Sequence, residues 1–90
     1  VENFDKLMDV LIEVSEERHR QDEKWGEQNH DPMIWLSILG EEFGEVCKGA
    51  QEAHFEGYTS YNDWRNYREE LIQTAAVAVA MVESLDRSTT

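Results

Sequence analysis

The chain has 90 residues, 40% of them hydrophobic, with 20 acidic against 8 basic side chains and a formal net charge of -12. A chain this short buries only about 60 to 65% of its surface by itself, so a single domain is expected over residues 1–90, helped by a partner chain. The charge excludes passive binding to nucleic acid backbones and anionic membranes, while the single Cys47, the missing basic and apolar leader and the missing apolar run of about 20 residues predict a cytoplasmic protein without an internal disulfide.

Asn3 is a candidate N-cap, after which Phe4, Leu7, Met8, Leu11 and Val14 recur at helical spacing. The polar SEERHRQDEKW continues the exposed face, and the first helix is expected from Phe4 to about Lys24. Gly26 stops it. GEQNHDP then reads as a loop that ends in an N-cap, Asp31, with Pro32 at the first helical position. The second helix carries Trp35, Leu36, Ile38, Leu39, Phe43, Val46, Cys47 and Ala50 to about Phe55, where Gly57 and EGYTSYN break the pattern. Asn62 or Ser60 can cap a third helix bearing Trp64, Leu71, Ile72, Ala75, Ala76, Val79, Val82 and Leu85. No strand-like alternation, repeat or linker intervenes. The expected fold is therefore all-α, an antiparallel helix bundle of three to four helices per chain. AAVAVAMV in the third helix is apolar on all sides and must be covered all round, unless side chains this small tolerate exposure. Two neighbouring helices hardly suffice, so homo-oligomerisation is expected to complete the bundle.

LGEEFGEV raises the chemical question, because Glu41, Glu42 and Glu45 share an arc of about 100° on the second helix. Glu42 stands on the row of Ile38 and Val46, at the edge of the apolar stripe. Glu70 repeats the placement on the third helix, close to the line of Val77 and Met81, with Gln73 adjacent. Carboxylates so placed cost several kcal/mol each unless paired or coordinated. No basic residue lies on either row, and Lys48 is nearest Glu41. A hard divalent cation, Mg²⁺ or Mn²⁺, is the better counter-charge for oxygen ligands on two facing helices, and it would let an acidic protein bind a polyphosphate. An ExxE pair alone is common by chance in so charged a chain. The conjunction of EExxE, a carboxylate on the next helix and two apolar-stripe placements carries the inference.

GEEFGEV with Glu42 and Glu45, followed by Glu70 in EELIQ, resembles the MazG-like branch of the all-α nucleoside triphosphate pyrophosphohydrolases, and RQDEKWGEQNH resembles that branch's N-terminal segment. The similarity spans roughly residues 16 to 83. It implies an all-α fold built as a dimer or a dimer of dimers, Mg²⁺ held by Glu42, Glu45 and Glu70, and cleavage of a nucleoside triphosphate to monophosphate and pyrophosphate. One position departs from the family's final ExxD: Gln73 replaces the Asp and brings a carbonyl dipole without a charge. Glu41 is the candidate base that orients or deprotonates water, with surface pairing to Lys48 as the competing role.

On the substrate side, Trp25 offers a flat face for a base, Lys24 a counter-charge for phosphate, and Gln28, Asn29 and His30 edge-reading hydrogen bonds. Trp25 would serve equally as a core anchor at a helix end, and His30 as a loop residue bound to backbone. Trp35 and Trp64 read as core. Two other functions compete. Glu16 and His19 form one Glu-x-x-His of the kind that builds di-iron bundles, though on a charged stretch, and Gln73 would also suit a nucleotide-binding or assembly protein that has lost activity.

Overall fold

Helix start and stop chemistry sets the elements. The computed structural model describes residues 2–55 and 61–89, with side chains for 4–55 and 64–88, and contains α1 (Glu2–Trp25), α2 (Pro32–Phe55) and α3 (Tyr61–Thr89). Among the described residues there is no strand. Gly26 closes α1 in the left-handed conformation, φ 74°, and its N–H donates to the Asp22 carbonyl at 2.8 Å. A side chain at Cβ would be strained there, which is why glycine ends this helix. Asp31 opens α2 as expected: its Oδ1 accepts the N–H groups of Met33 at 2.9 Å and Ile34 at 3.2 Å. Pro32 follows at a position that has no hydrogen bond to lose. Asn3 and Asn62 lie within the helices, since α1 already runs from Glu2 and α3 from Tyr61, and their side chains fall outside those described. The break at Gly57 and EGYTSYN, and the alternative cap Ser60, fall outside the described residues.

α2 and α3 run antiparallel along most of their length. Arg87 binds Gln28 and Asn29 at one end, Trp35 packs against Val77 and Ala80 in the middle, and Gly49 meets Tyr67 at the other. Glycine permits that last approach, because an added Cβ at Gly49 would stand 3.1 Å from the Tyr67 Cα. Trp35, 4% exposed, anchors the core with Ile38, Leu39 and Met81 around it.

α1 crosses α3 obliquely and does not lie antiparallel beside it. One of its stripes, Glu13, Glu16, Glu17 and Arg20, faces the earlier part of α3 at Arg68, Glu69 and Gln73. The opposite stripe, with Leu11, Ser15, Arg18 and Asp22, faces Val79 and Glu83 further along. Glu17, Arg18 and Gln21 are consequently half-buried, although the polar run that contains them suggested a solvated face. The apolar stripe of α1 fares the opposite way: Val14 is buried, while Phe4, Leu7, Met8 and Leu11 remain exposed. α1 and α2 both rest on α3 without approaching each other closely.

Candidate functional site

The register of α2 on α3 decides which carboxylates meet. The antiparallel alignment that sets Gln28 beside Arg87 and Gly49 beside Tyr67 brings Glu45 level with Glu70, and Glu42 level with Gln73. Glu42 and Glu70 are half-buried, Glu45 exposed. Burial pushes the Glu42 carboxyl above the ordinary carboxylate value, and the charges of Glu45, Glu17 and Glu41 push it the same way. Burial also raises Glu70, with further contributions from Glu42, Glu45 and Glu69. Each shift reflects partial desolvation together with nearby negative charge. Glu42, Glu45 and Glu70, on two helices, thus form one electrostatic group.

Glu42 supplies a second mark. Its Oε2 is sealed from solvent and has no hydrogen-bond partner. A carboxylate oxygen left in that condition costs more than one that keeps its water, so the site calls for a donor or a cation. The donor set is all oxygen and suits a hard divalent ion such as Mg²⁺. Among the described residues, no group of three or more His, Cys, Asp or Glu is drawn together tightly enough to grip an ion as the side chains stand. In kind, the oxygen donors are those a hard divalent ion takes; in placement, no described group closes on one.

Glu17 is the member that sequence reasoning missed. Its charge on α1 helps to raise the Glu42 carboxyl, and it lines a polar cleft of about 240 Å³ with Gln73, Glu69, Arg68 and Arg20, apart from Glu42, Glu45 and Glu70. The Gln21 amide, one turn beyond Glu17, donates to the Gln73 carbonyl at 3.5 Å and ties α1 to α3 at that level. A signal for it was present: Glu17 stands between Val14 and Gln21 at helical spacing, on the face of α1 turned inward. Glu41, the candidate base, is exposed at the rim.

The substrate-side candidates divide. Trp25 is 62% exposed, and the Lys24 ammonium sits over its ring, 4.9 Å from the centroid. Those two side chains present themselves together at the end of α1. Gln28 and Asn29 instead hold the end of α3: the Gln28 carbonyl and the Asn29 Oδ1 accept Arg87 at 3.1 and 2.9 Å. His30 turns to the core, its ring edge-on to Trp35 at 4.9 Å between centroids. The structure does not bring His30 together with the carboxylates. Glu16 and His19 fall into different clefts on either side of α1, an arrangement unlike that of a shared di-iron ligand pair.

The chain matches no protein-family model, no curated protein and no solved structure. Among the described residues, no helix is long and apolar enough to cross a membrane.

Proposed function

We propose that the protein hydrolyses a nucleoside triphosphate to the monophosphate and pyrophosphate with Mg²⁺, as the MazG-like resemblance implies. The observation that carries this reading is the proximity of Glu42, Glu45 and Glu70 across α2 and α3, with the Glu42 Oε2 buried and unpaired. Mg²⁺ held there would neutralise the triphosphate and polarise the phosphorus under attack. Glu42, Glu45 and Glu70 would hold the cation, and Gln73, level with Glu42, would offer its side-chain oxygen beside them. Glu41 at the rim orients the attacking water and accepts its proton at a carboxylate oxygen. Lys24 and Trp25 receive the nucleotide, the ring face opposite the ammonium being the stacking surface for a base. Gln28, Asn29 and His30 position that segment by anchoring it to Arg87 and Trp35 and do not read the base.

The working form is a homodimer or a dimer of dimers. A globule of 90 residues has a radius of gyration of about 12 Å. This chain has 15.0 Å and extents of 48 × 34 × 20 Å, a slab that leaves Phe4, Leu7, Met8, Val82 and Leu85 exposed. A second copy laid on that apolar surface supplies the cover that one chain lacks.

The test is a panel of ribo- and deoxyribonucleoside triphosphates with Mg²⁺ and both products identified. Monophosphate and pyrophosphate appearing together are expected. Diphosphate with orthophosphate, or no turnover across the panel, would overturn the proposal.

A further inference from the structure

An apolar pocket of about 600 Å³ lies at the end of the α2–α3 pair where the first loop meets α3. Pro32, Trp35, Met81, Val82 and Leu85 wall it, and none of Glu41, Glu42, Glu45 or Glu70 lines it. Clefts of about 300 to 1,000 Å³ with mostly apolar walls are the usual seats of small molecules. Water finds few hydrogen-bond partners in such a place, so an apolar body displaces it with a gain.

Most polar side chains of the lining are already engaged. The Asp31 Oδ1 caps α2 through Met33 and Ile34, the Asn29 Oδ1 accepts the Arg87 Nε at 2.9 Å, and the Ser88 hydroxyl donates to the Leu85 carbonyl at 2.8 Å. His30 stands edge-on to Trp35. Ser84 differs. Thr74 turns its hydroxyl back onto the Glu70 carbonyl of its own helix at 2.7 Å, whereas Ser84, only 3% exposed, makes no such bond among the described residues. The Trp35 indole N–H is likewise buried without an acceptor. Buried polar groups left unpaired are costly, and two of them border this one pocket.

We infer that the pocket binds a small uncharged aromatic molecule bearing one hydrogen-bonding group, its ring against Trp35 and Met81 and its polar group on the Ser84 hydroxyl. The indole and the thioether favour a ring over an alkyl chain. The one carboxylate of the described lining, Asp31, is committed to its cap, so a charged ligand would be desolvated there without a counter-charge. This site is separate from the proposed Mg²⁺ site and stands without it.

Titration of para-cresol and of toluene into the isotope-labelled protein in chelator, followed by the indole N–H resonances in NMR, tests it, with Trp35→Phe to assign the Trp35 signal. Both probes are expected to shift the Trp35 indole saturably and to leave those of Trp25 and Trp64 in place. Ala78→Phe, which fills the pocket from an exposed position on its lining, is expected to abolish both shifts. Ser84→Ala is expected to weaken para-cresol by about threefold to tenfold and to leave toluene, which has no hydroxyl, unchanged. A purely structural role for Ser84 would instead weaken both probes alike, and that result overturns the assignment of Ser84. No saturable shift of Trp35 in wild type overturns the inference, as do shifts that survive Ala78→Phe. Two other occupants would also overturn it. Adenosine or uridine monophosphate moving the same resonance would make the pocket part of the nucleotide site, and probe binding that weakens with rising protein concentration while the particle mass falls would show that a second copy fills it.

Discussion

Glu42→Gln should make the protein more stable in chelator and less stable in Mg²⁺, a crossing that no simple packing defect produces. In chelator the wild-type side chain is a half-buried carboxylate with an unpaired oxygen, raised by burial and by the charges of Glu45, Glu17 and Glu41. Converting it to an amide removes the repulsion and keeps the shape. Because the group is well short of full burial, the gain is discounted to about 1 kcal/mol. For a domain of this size that is roughly 4 to 8 °C in Tm. With Mg²⁺ at about 100 times its Kd, wild type gains about 2.7 kcal/mol by mass action, or roughly 10 to 20 °C, and the variant, short of a charged ligand, gains much less. Circular dichroism melts of both proteins, in chelator and in Mg²⁺ at matched ionic strength, give the four values needed. A variant that melts below wild type in chelator, or that keeps the full Mg²⁺ gain, would refute the account of Glu42 as a strained carboxylate awaiting a cation.

Three further outcomes are expected. Glu42 and Glu70 have folded pKa values above their unfolded ones, so their favourable contribution is complete below the ordinary carboxylate value and is lost as pH rises through the raised values; Tm in chelator should therefore rise as pH falls from 7 toward about 5, and Glu42→Gln should flatten that slope. Gly49→Val should cost about 2 kcal/mol or more, seen as a lower denaturant midpoint, because the Cβ would already stand 3.1 Å from the Tyr67 backbone and the added methyls must push α2 and α3 apart. If the chain assembles through this face of α3 as proposed, Val79→Glu should lower the particle mass in light scattering at micromolar concentration, and an unaltered mass would show that this face is not an interface.

Local chemistry made the ends of the first loop legible in the sequence. Gly26 and Asp31-Pro32 act within a few residues of themselves, and the hydrogen bonds at both follow from side-chain type alone. The Glu42 and Glu70 placements were legible for a related reason: helical period fixes which face a residue shares with Ile38 or Val77, and that face turned out to be the α2–α3 seam. Glu17 was not legible in the same way. Period gives the stripe, but which helix a stripe meets depends on how helices cross, and the crossing of α1 over α3 turns its polar face inward and leaves Phe4, Leu7 and Met8 outside. His30 shows the opposite limit. A histidine in a loop beside a tryptophan at a helix end suggested shared recognition, yet the loop's path delivers it to Trp35, five residues on, and only tertiary structure distinguishes the two tryptophans.

The helices are held together by different forces. Glu42, Glu45 and Glu70 stand on the α2–α3 pair, fixed by the buried Trp35, Val77 and Ala80 and by the close approach at Gly49. Glu17 stands on α1, which reaches α3 mainly through polar links: Glu13 to Arg68 at 2.6 Å on one side, Arg18 to Glu83 at 2.7 Å on the other, and Gln21 to Gln73 between them. Partly exposed ion pairs are individually worth about 0 to 1 kcal/mol, far less than a buried aromatic anchor. The α2–α3 pair is therefore the firmly packed part of the fold and α1 the more loosely tied one, so raised salt should loosen α1 from α3 before it disturbs the Trp35 core.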